Sequence, residues 1–137
     1  ILTSIHFHSH ARELPDPIDK VLCFITAIEQ FFDSSGKSIS TTIANGCALV
    51  LCNNLEDRIK LKRLMKKLYS LRSSISHFGK RTVLDIDVRE LSFISWQLIY
   101  FAISYRARFK TKEEFNLWVE NLQLGLENEL SIVTFRN

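Results

Sequence analysis

Apolar residues recur three or four positions apart along most of the chain, with polar residues between them. This spacing is typical of amphipathic helices packed around a core. It predicts five main helices, preceded by a helical fragment at the N-terminus. One short segment, residues 83–86, is compatible with an extended conformation, but a single segment cannot form a sheet. The pattern therefore predicts an all-α protein.

Local signals give the expected ends of these helices. Asp16 followed by Pro17 is typical of a helix start, so the first main helix is expected to run from there to about Phe32, where residues 34–36 stop it. Thr3–Arg12 is interpreted as the tail of a preceding helix. The other predicted helices are about Ser40–Asn53, Glu56–Ile75, Val88–Arg108 and Thr111–Glu127, with Asp87 and Thr111 as N-caps. Gly46 or Ala44 would permit a close approach of helices.

The length and composition indicate one globular domain. An apolar share of 46% with 24% charged residues excludes a disordered chain, and we interpret residues 1–137 as a single domain. Because the chain does not begin with methionine, we expect it to be the C-terminal part of a longer protein, with residues 1–14 ending a preceding helix. The absence of any run of about 18 uncharged apolar residues predicts no membrane span. Three cysteines without a CxxC pair favour free thiols and a cytoplasmic location.

Positive charge is concentrated in one segment, although the net charge of the chain is only +3. Residues 56–81 contain nine lysines and arginines against two acids, a net charge of +7, and the remainder carries −4. A solvated helix face is the ordinary explanation of such a run. The asymmetry nevertheless favours an anionic partner that binds at one place. We predict an RNA-binding surface formed by Arg58, Lys62, Arg63, Lys66, Lys67, Lys80 and Arg81.

Arg72 and His77 stand five residues apart near the end of this basic segment, within the run LYSLRSSISHFG of residues 68–79. This run resembles the Arg-x4-His motif of the HEPN superfamily, and more narrowly the LYxxRSxxxH run of its Apea-like branch, which Gly follows closely. Residues 27–32 (AIEQFF) look like the first-helix signature of that branch, and residues 16–19 and 44–51 fall where similar segments are expected. The resemblance covers roughly residues 10–110.

The resemblance implies a HEPN-like bundle of about five helices that forms a homodimer, with two Arg–His pairs in one shared cleft. It also implies metal-independent cleavage of RNA without a cofactor, in which Arg72 and His77 are catalytic and Ser73 fills the polar position of the motif. A role as a defence or toxin effector, held by an antitoxin or a regulatory domain, follows from the family alone. Phe78 departs from the family pattern, in which Gly directly follows the motif His. Its ring could narrow the cleft, pack at the dimer interface or extend the helix end.

The chemistry of the two residues is consistent with that role. A histidine that titrates near neutrality can take the proton of a 2′-hydroxyl or protonate a leaving 5′-oxygen, and Arg can stabilise the charge on a phosphorane. On a continuous helix, residues five apart point about 140° away from each other. Arg72 and His77 therefore converge on one phosphate only if the helix ends between them or a second copy contributes. The serines of residues 73–76 and Gly79 favour a helix end there.

Plainer interpretations stand beside this one. Basic residues such as Arg72 and His77 are also common near the C-terminus of a helix, because positive charge there complements the helix dipole. Glu29 could pair with Arg72 and shape its environment, and a structural role is favoured for it. Tyr69 could stack on a base, although packing between helices is the favoured interpretation.

Two further groups of residues are weak metal candidates. His6, His8 and His10 would share a face in a strand, but only His6 and His10 align in a helix, so no metal site is predicted. Cys47 and Cys52 lie in an apolar run and are expected in the core.

The leading functional hypothesis is a metal-independent endoribonuclease that leaves 2′,3′-cyclic phosphate and 5′-hydroxyl ends. The alternative is a non-catalytic HEPN dimerisation or RNA-binding module of a larger protein. A third hypothesis is a helical scaffold whose basic helix docks an acidic protein.

Overall fold

The computed structural model of the protein describes residues 1–34, 38–79, 82–127 and 130. Over these ranges the chain forms six α-helices and no β-strand, which confirms the all-α prediction. Within the same ranges, no helix combines the length and apolarity that a membrane crossing requires. The helices are α1 (Leu2–Glu13), α2 (Pro17–Glu29), α3 (Ile39–Leu51), α4 (Leu55–Phe78), α5 (Asp85–Ser104) and α6 (Lys112–Gln123).

Two predicted helix starts are confirmed by their hydrogen bonds. The carboxylate of Asp16 accepts a hydrogen bond from the Ile18 N–H at 2.7 Å and caps α2. At the start of α6, Thr111 Oγ1 accepts from the Glu114 N–H at 3.1 Å. The Glu114 carboxylate in turn accepts from the backbone N–H of Lys110 at 2.8 Å. This reciprocal pair corresponds to the expected capping box, with its return bond made one residue earlier.

Other predicted boundaries are wrong. The helical fragment expected at Thr3–Arg12 is α1, which extends one residue further at each end, over Leu2–Glu13. Helix α2 ends at Glu29 instead of Phe32, because the chain then turns through hydrogen bonds to carbonyls three residues back and directs the rings of Phe31 and Phe32 into the core. Helices α5 and α6 each end four residues before their predicted ends, and Gly125 follows α6 with a φ of 73°. Of the stop expected at residues 34–36, residues 35 and 36 lie outside the described ranges.

Asp87 is not the N-cap that its position in the sequence predicts. Helix α5 begins two residues earlier, at Asp85, so that residues 85 and 86 are helical and not extended. The Asp87 side chain lies in the first turn and is buried, where it forms an ion pair with Lys67 of α4 at 2.9 Å. The carboxylate that sequence reasoning assigned to a helix cap thus forms an ion pair between α4 and α5.

Helix α2 lies at the centre of the bundle, where it packs against α1 and α5 and also contacts α4. Helix α3 packs along α4 and contacts α5 and α6. Both tight pairs, α1 with α2 and α3 with α4, are joined by connections of three residues. The fully buried side chains of the shared core include Phe24, Ile25, Ile28, Ile43, Val50, Met65, Leu68, Leu91, Leu98, Ile99 and Phe101.

Gly46 allows α3 to approach the ring of Phe32, which follows the end of α2, where the sequence predicts the close approach of a helix. The ring of Phe32 covers the α-carbon of Gly46 so closely that an added Cβ would lie 2.6 Å from Phe32 Cδ1. That ring is itself held in the core by Phe31 and Phe115, with ring centroids 6.4 and 6.0 Å away. The contact therefore fixes how closely α3 can pack against the end of α2.

All three cysteines are free thiols. Cys47 is fully buried, which confirms its predicted place in the core, and burial raises the pKa of its thiol. Cys52 is only half-buried because it follows the last residue of α3, and Cys23 is half-buried on α2.

Candidate nucleic-acid interface

Helix α4 carries both Arg72 and His77 and runs through them without a break. It begins at the N-cap Asn54 and continues to Phe78, where Gly79 ends it in the left-handed conformation with a φ of 63°. The predicted helix end within residues 73–76 is therefore wrong. The reason lies in the apolar stripe, because Leu71 is buried and Ile75 packs against the core on either side of the serines. Phe78 extends the helix and leaves its ring 85% exposed.

Because the helix is continuous, one chain does not bring Arg72 and His77 together. Their five-residue separation turns the two side chains about 140° apart around the helix axis. Arg72 lies on the side that meets α2, whereas His77 is exposed near the end of the helix. Of the two ways in which the pair could meet, a helix end between the two residues is therefore excluded.

Arg72 belongs to a network between α4 and α2. Its Nε lies 3.4 Å from the Glu29 carboxylate, and its guanidinium lies over the Tyr69 ring, 5.4 Å from the centroid. The Tyr69 hydroxyl donates to the same Glu29 oxygen at 3.0 Å. Burial, and then the hydrogen bond to Glu29, raise the pKa of Tyr69 above its usual value, so that the hydroxyl stays protonated as a donor. Glu29 thus orients both side chains, and Tyr69 is buried between helices.

The predicted basic surface divides into cations that have partners and cations that have none. Arg58 Nε donates to the carbonyl of Cys52 at 3.0 Å, and Lys67 is paired with Asp87. Lys60, outside the predicted set, is paired with Glu56 at 2.5 Å. Lys80 and Arg81 lie outside the described ranges. Within those ranges, three predicted cations make no ion pair or hydrogen bond: Lys62, Arg63 and Lys66.

These three residues, called here the α4 basic surface, lie on the same side of α4 as His77. At 100° per residue, Lys66 is about 20° from His77 around the helix axis, Arg63 about 40° and Lys62 about 60°. From Arg63 to His77 the surface extends for about 21 Å along the helix. Ser73 lies within about 40° of His77 and is half-buried. A chain of phosphates that followed the basic surface would reach the imidazole.

The three histidines of α1 do not act as a group. His6 and His10 stack on each other, with ring centroids 6.3 Å apart. His8 points away from them into the bundle, where its Nδ1 lies 3.0 Å from the Ser95 hydroxyl of α5. Among the residues that the structure describes, no three His, Cys, Asp or Glu side chains are grouped so that they could hold a metal ion.

Sequence reasoning missed the ion pair between Lys67 and Asp87, which removes one cation from the predicted surface. The two residues are 20 positions apart, and Asp87 already had a local explanation as a helix cap. Only the burial of Asp87 could have revealed the pair, and that burial depends on how α4 and α5 meet in the folded protein.

Comparison with family models, with curated proteins and with solved structures gives no match to this chain.

Proposed function

We propose that this protein is a metal-independent endoribonuclease that binds RNA along the α4 basic surface and cleaves it with His77 of one copy and Arg72 of a second. The observation that carries the proposal is the common face of the three unpaired cations and an exposed histidine. Cations without partners attract a polyanion at the least cost, because no ion pair has to be broken first. The histidine at the end of that surface can then act on the bound phosphodiester.

The second copy is needed because Arg72 points away from His77 in the same chain. The Arg72 side chain is 33% exposed, so a phosphate held by a partner subunit can reach it. Its contact with Glu29 is made through Nε, which leaves the two terminal amino groups to donate to phosphate oxygens. In a two-fold dimer the same arrangement occurs twice, so each of the two sites combines residues from both copies. The resemblance to dimeric HEPN proteins supports this arrangement.

The reaction would be an internal transfer within the RNA. The 2′-oxygen loses its proton and attacks the adjacent phosphorus, the bond from phosphorus to the 5′-oxygen breaks, and the leaving oxygen gains a proton. His77 serves as the acid or base in this transfer, and Arg72 stabilises the negative charge of the phosphorane. The ends produced are a 2′,3′-cyclic phosphate and a 5′-hydroxyl. None of these steps requires a cofactor.

The biological setting that we propose follows from the family resemblance. The chain would be the effector domain of a longer defence or toxin protein, with an antitoxin or a regulatory domain restraining it. A reducing cytoplasm suits its three free cysteines.

The test of this function is cleavage of end-labelled RNA by the purified protein in excess EDTA, with chemical analysis of the new ends. We expect cleavage in EDTA, cyclic phosphate at the 3′ side of the cut and a dimer by sedimentation. Products with 5′-phosphate ends, a requirement for divalent ions, or a monomer that cleaves RNA at full rate would each contradict the proposal.

A non-catalytic RNA-binding module is the second candidate. It is favoured by the ion pair of Arg72 with Glu29, because that arginine already has a partner within the chain.

Both candidates require the α4 basic surface, which is tested by binding alone. Replacing Arg63 and Lys66 together with glutamine is expected to lower the slope of log affinity against log salt by about 1.4 for single-stranded RNA, because each neutralised phosphate contributes about 0.7 to that slope.

The matched control for this measurement is Lys60→Gln, which removes an exposed lysine of the same helix that is already paired with Glu56. We expect it to change the slope far less than the double variant. Equal slopes for the double variant and the wild type would show that RNA does not bind on this surface.

A further inference from the structure

A pocket lies between α1 and α5, apart from the α4 basic surface. It is a shallow cavity of about 420 Å³, and no acidic side chain is among the described residues that line it. Its volume is within the usual range for small-molecule sites. The lining residues are His8 and Arg12 from α1, and Arg89, Ser92, Phe93 and Trp96 from α5.

The two arginines of this pocket come from different helices and have no ion-pair or hydrogen-bond partner among the described residues. Both are exposed at the surface of the pocket. Two like charges held at one cavity without an acid repel each other, and an anion relieves that repulsion. The fork geometry of guanidinium groups favours phosphate among the anions, and the Ser92 hydroxyl adds a further donor.

Beside the arginines, the pocket exposes two large aromatic side chains. Trp96 is 51% exposed and Phe93 is 58% exposed. The Trp96 ring rests on His8, with centroids 6.0 Å apart, and His8 contacts Phe24 at 5.3 Å and hydrogen-bonds Ser95. Burial, and then the charge of Arg12, lower the pKa of His8, so the imidazole beneath the indole is uncharged at neutral pH. The indole thus contacts the fold on one side through His8, and about half of its surface is exposed.

We propose that this pocket binds a phosphorylated nucleotide, with the phosphate between Arg12 and Arg89 and the base stacked on Trp96. Stacking on an exposed aromatic ring is how proteins hold a base without reading its edges, which fits a pocket lined by few other polar groups. A free nucleotide and the 5′-phosphorylated end of an RNA strand present the same chemistry. The proposal uses no residue of α4, so it stands or falls separately from the ribonuclease function.

The intrinsic fluorescence of the protein provides the measurement. It has two tryptophans, of which Trp118 is buried and gives a constant background, so quenching reports on Trp96. We expect AMP to quench saturably, and adenosine and inorganic phosphate to bind at least about tenfold more weakly, because each offers only one of the two interactions. The variants Arg12→Gln and Arg89→Gln should each weaken AMP binding by about tenfold. For Trp96→Leu, which lacks the signal, equilibrium dialysis with labelled AMP should show a similar loss.

Controls and competing ligands make the result specific. Arg106→Gln, a change of the same type at an exposed position beyond the end of α5, should leave AMP binding unchanged. Oligonucleotides with and without a 5′-phosphate distinguish the two sources: about tenfold tighter binding of the phosphorylated strand than of the unphosphorylated strand identifies an RNA end, and equal affinity of the two strands identifies a free nucleotide. The proposal is overturned if AMP does not saturate at millimolar concentration, if adenosine binds equally well, or if the arginine variants bind AMP normally. It is also overturned if Trp96→Leu only abolishes self-association, which would make this face a contact between copies.

Discussion

Replacing either Arg72 or His77 with alanine is expected to reduce RNA cleavage by a factor of about 100 to 10,000, and mixing the two inactive variants is expected to restore activity. The loss has that size because general acid–base catalysis and stabilisation of the phosphorane each contribute to the rate on this scale. The recovery follows from the continuous helix, which turns the two side chains to different sides of the same chain.

The mixed dimer separates a shared site from one within a single chain. An Arg72→Ala copy still provides His77, and a His77→Ala copy still provides Arg72, so one of the two shared sites in the mixed dimer is complete. Random exchange makes half of the dimers mixed, and activity should return to roughly a quarter of the wild-type rate. A site formed within one chain would be broken in both copies, and the mixture would stay inactive.

Two controls accompany this experiment. His10→Ala removes an exposed histidine of α1, well separated in sequence from α4, and should leave the cleavage rate unchanged. Differently tagged copies must co-purify after mixing, which shows that subunits have exchanged. An inactive mixture of exchanged subunits would refute the shared site, and full activity in His77→Ala would refute its catalytic role.

The variant Gly46→Ala is expected to destabilise the protein by about 1–3 kcal/mol, although alanine is normally the better helix former by about 1 kcal/mol. The new methyl group would lie 2.6 Å from Phe32 Cδ1. The ring cannot simply move away, because it is packed among other aromatic rings of the core. Either α3 shifts outwards or the Phe32 ring takes a strained position. Thermal unfolding should detect the change as a Tm lower by several degrees.

A second substitution identifies the cause of that destabilisation. Phe32→Leu removes ring atoms from the contact, so Gly46→Ala should cost less in its presence than in the wild type. Thr41→Ala is the matched control, since it introduces alanine at an exposed position of the same helix and should change the stability by less than about 0.5 kcal/mol. An unchanged or higher Tm for Gly46→Ala would mean that the contact with Phe32 is not restrictive.

The helices and two of their caps were predictable because their signals are local. Apolar spacing and a capping side chain such as Asp16 or Thr111 act within one or two turns of the chain, and the structure retains both caps. The helix ends were less predictable. They depend on how the whole core packs. Phe31 and Phe32, for example, lie beyond the end of α2 with their rings buried in the core.

The candidate site shows the same limit. Serines compete with the helical backbone for hydrogen bonds and so predict an end after Arg72. The burial of Leu71 and the packing of Ile75 outweigh them, but that burial depends on the other helices of the bundle being in place, α3 above all. The pocket between α1 and α5 had no sequence signal at all, because Arg12 and Arg89 are brought together only by packing of distant segments. The hydrogen bond between His8 and Ser95, 87 positions apart, marks that packing.

The α4 basic surface has a consequence for the helix that carries it. Lys62 and Lys66 are four residues apart, and Arg63 and Lys66 are three apart, so like charges face each other along α4. Each such pair costs an isolated helix about 0.2–0.5 kcal/mol. In a free peptide these pairs would lower the helix content of the segment, whereas in the protein the surrounding bundle holds it helical. A bound polyanion would neutralise these charges, so that binding of the polyanion and folding of α4 reinforce each other.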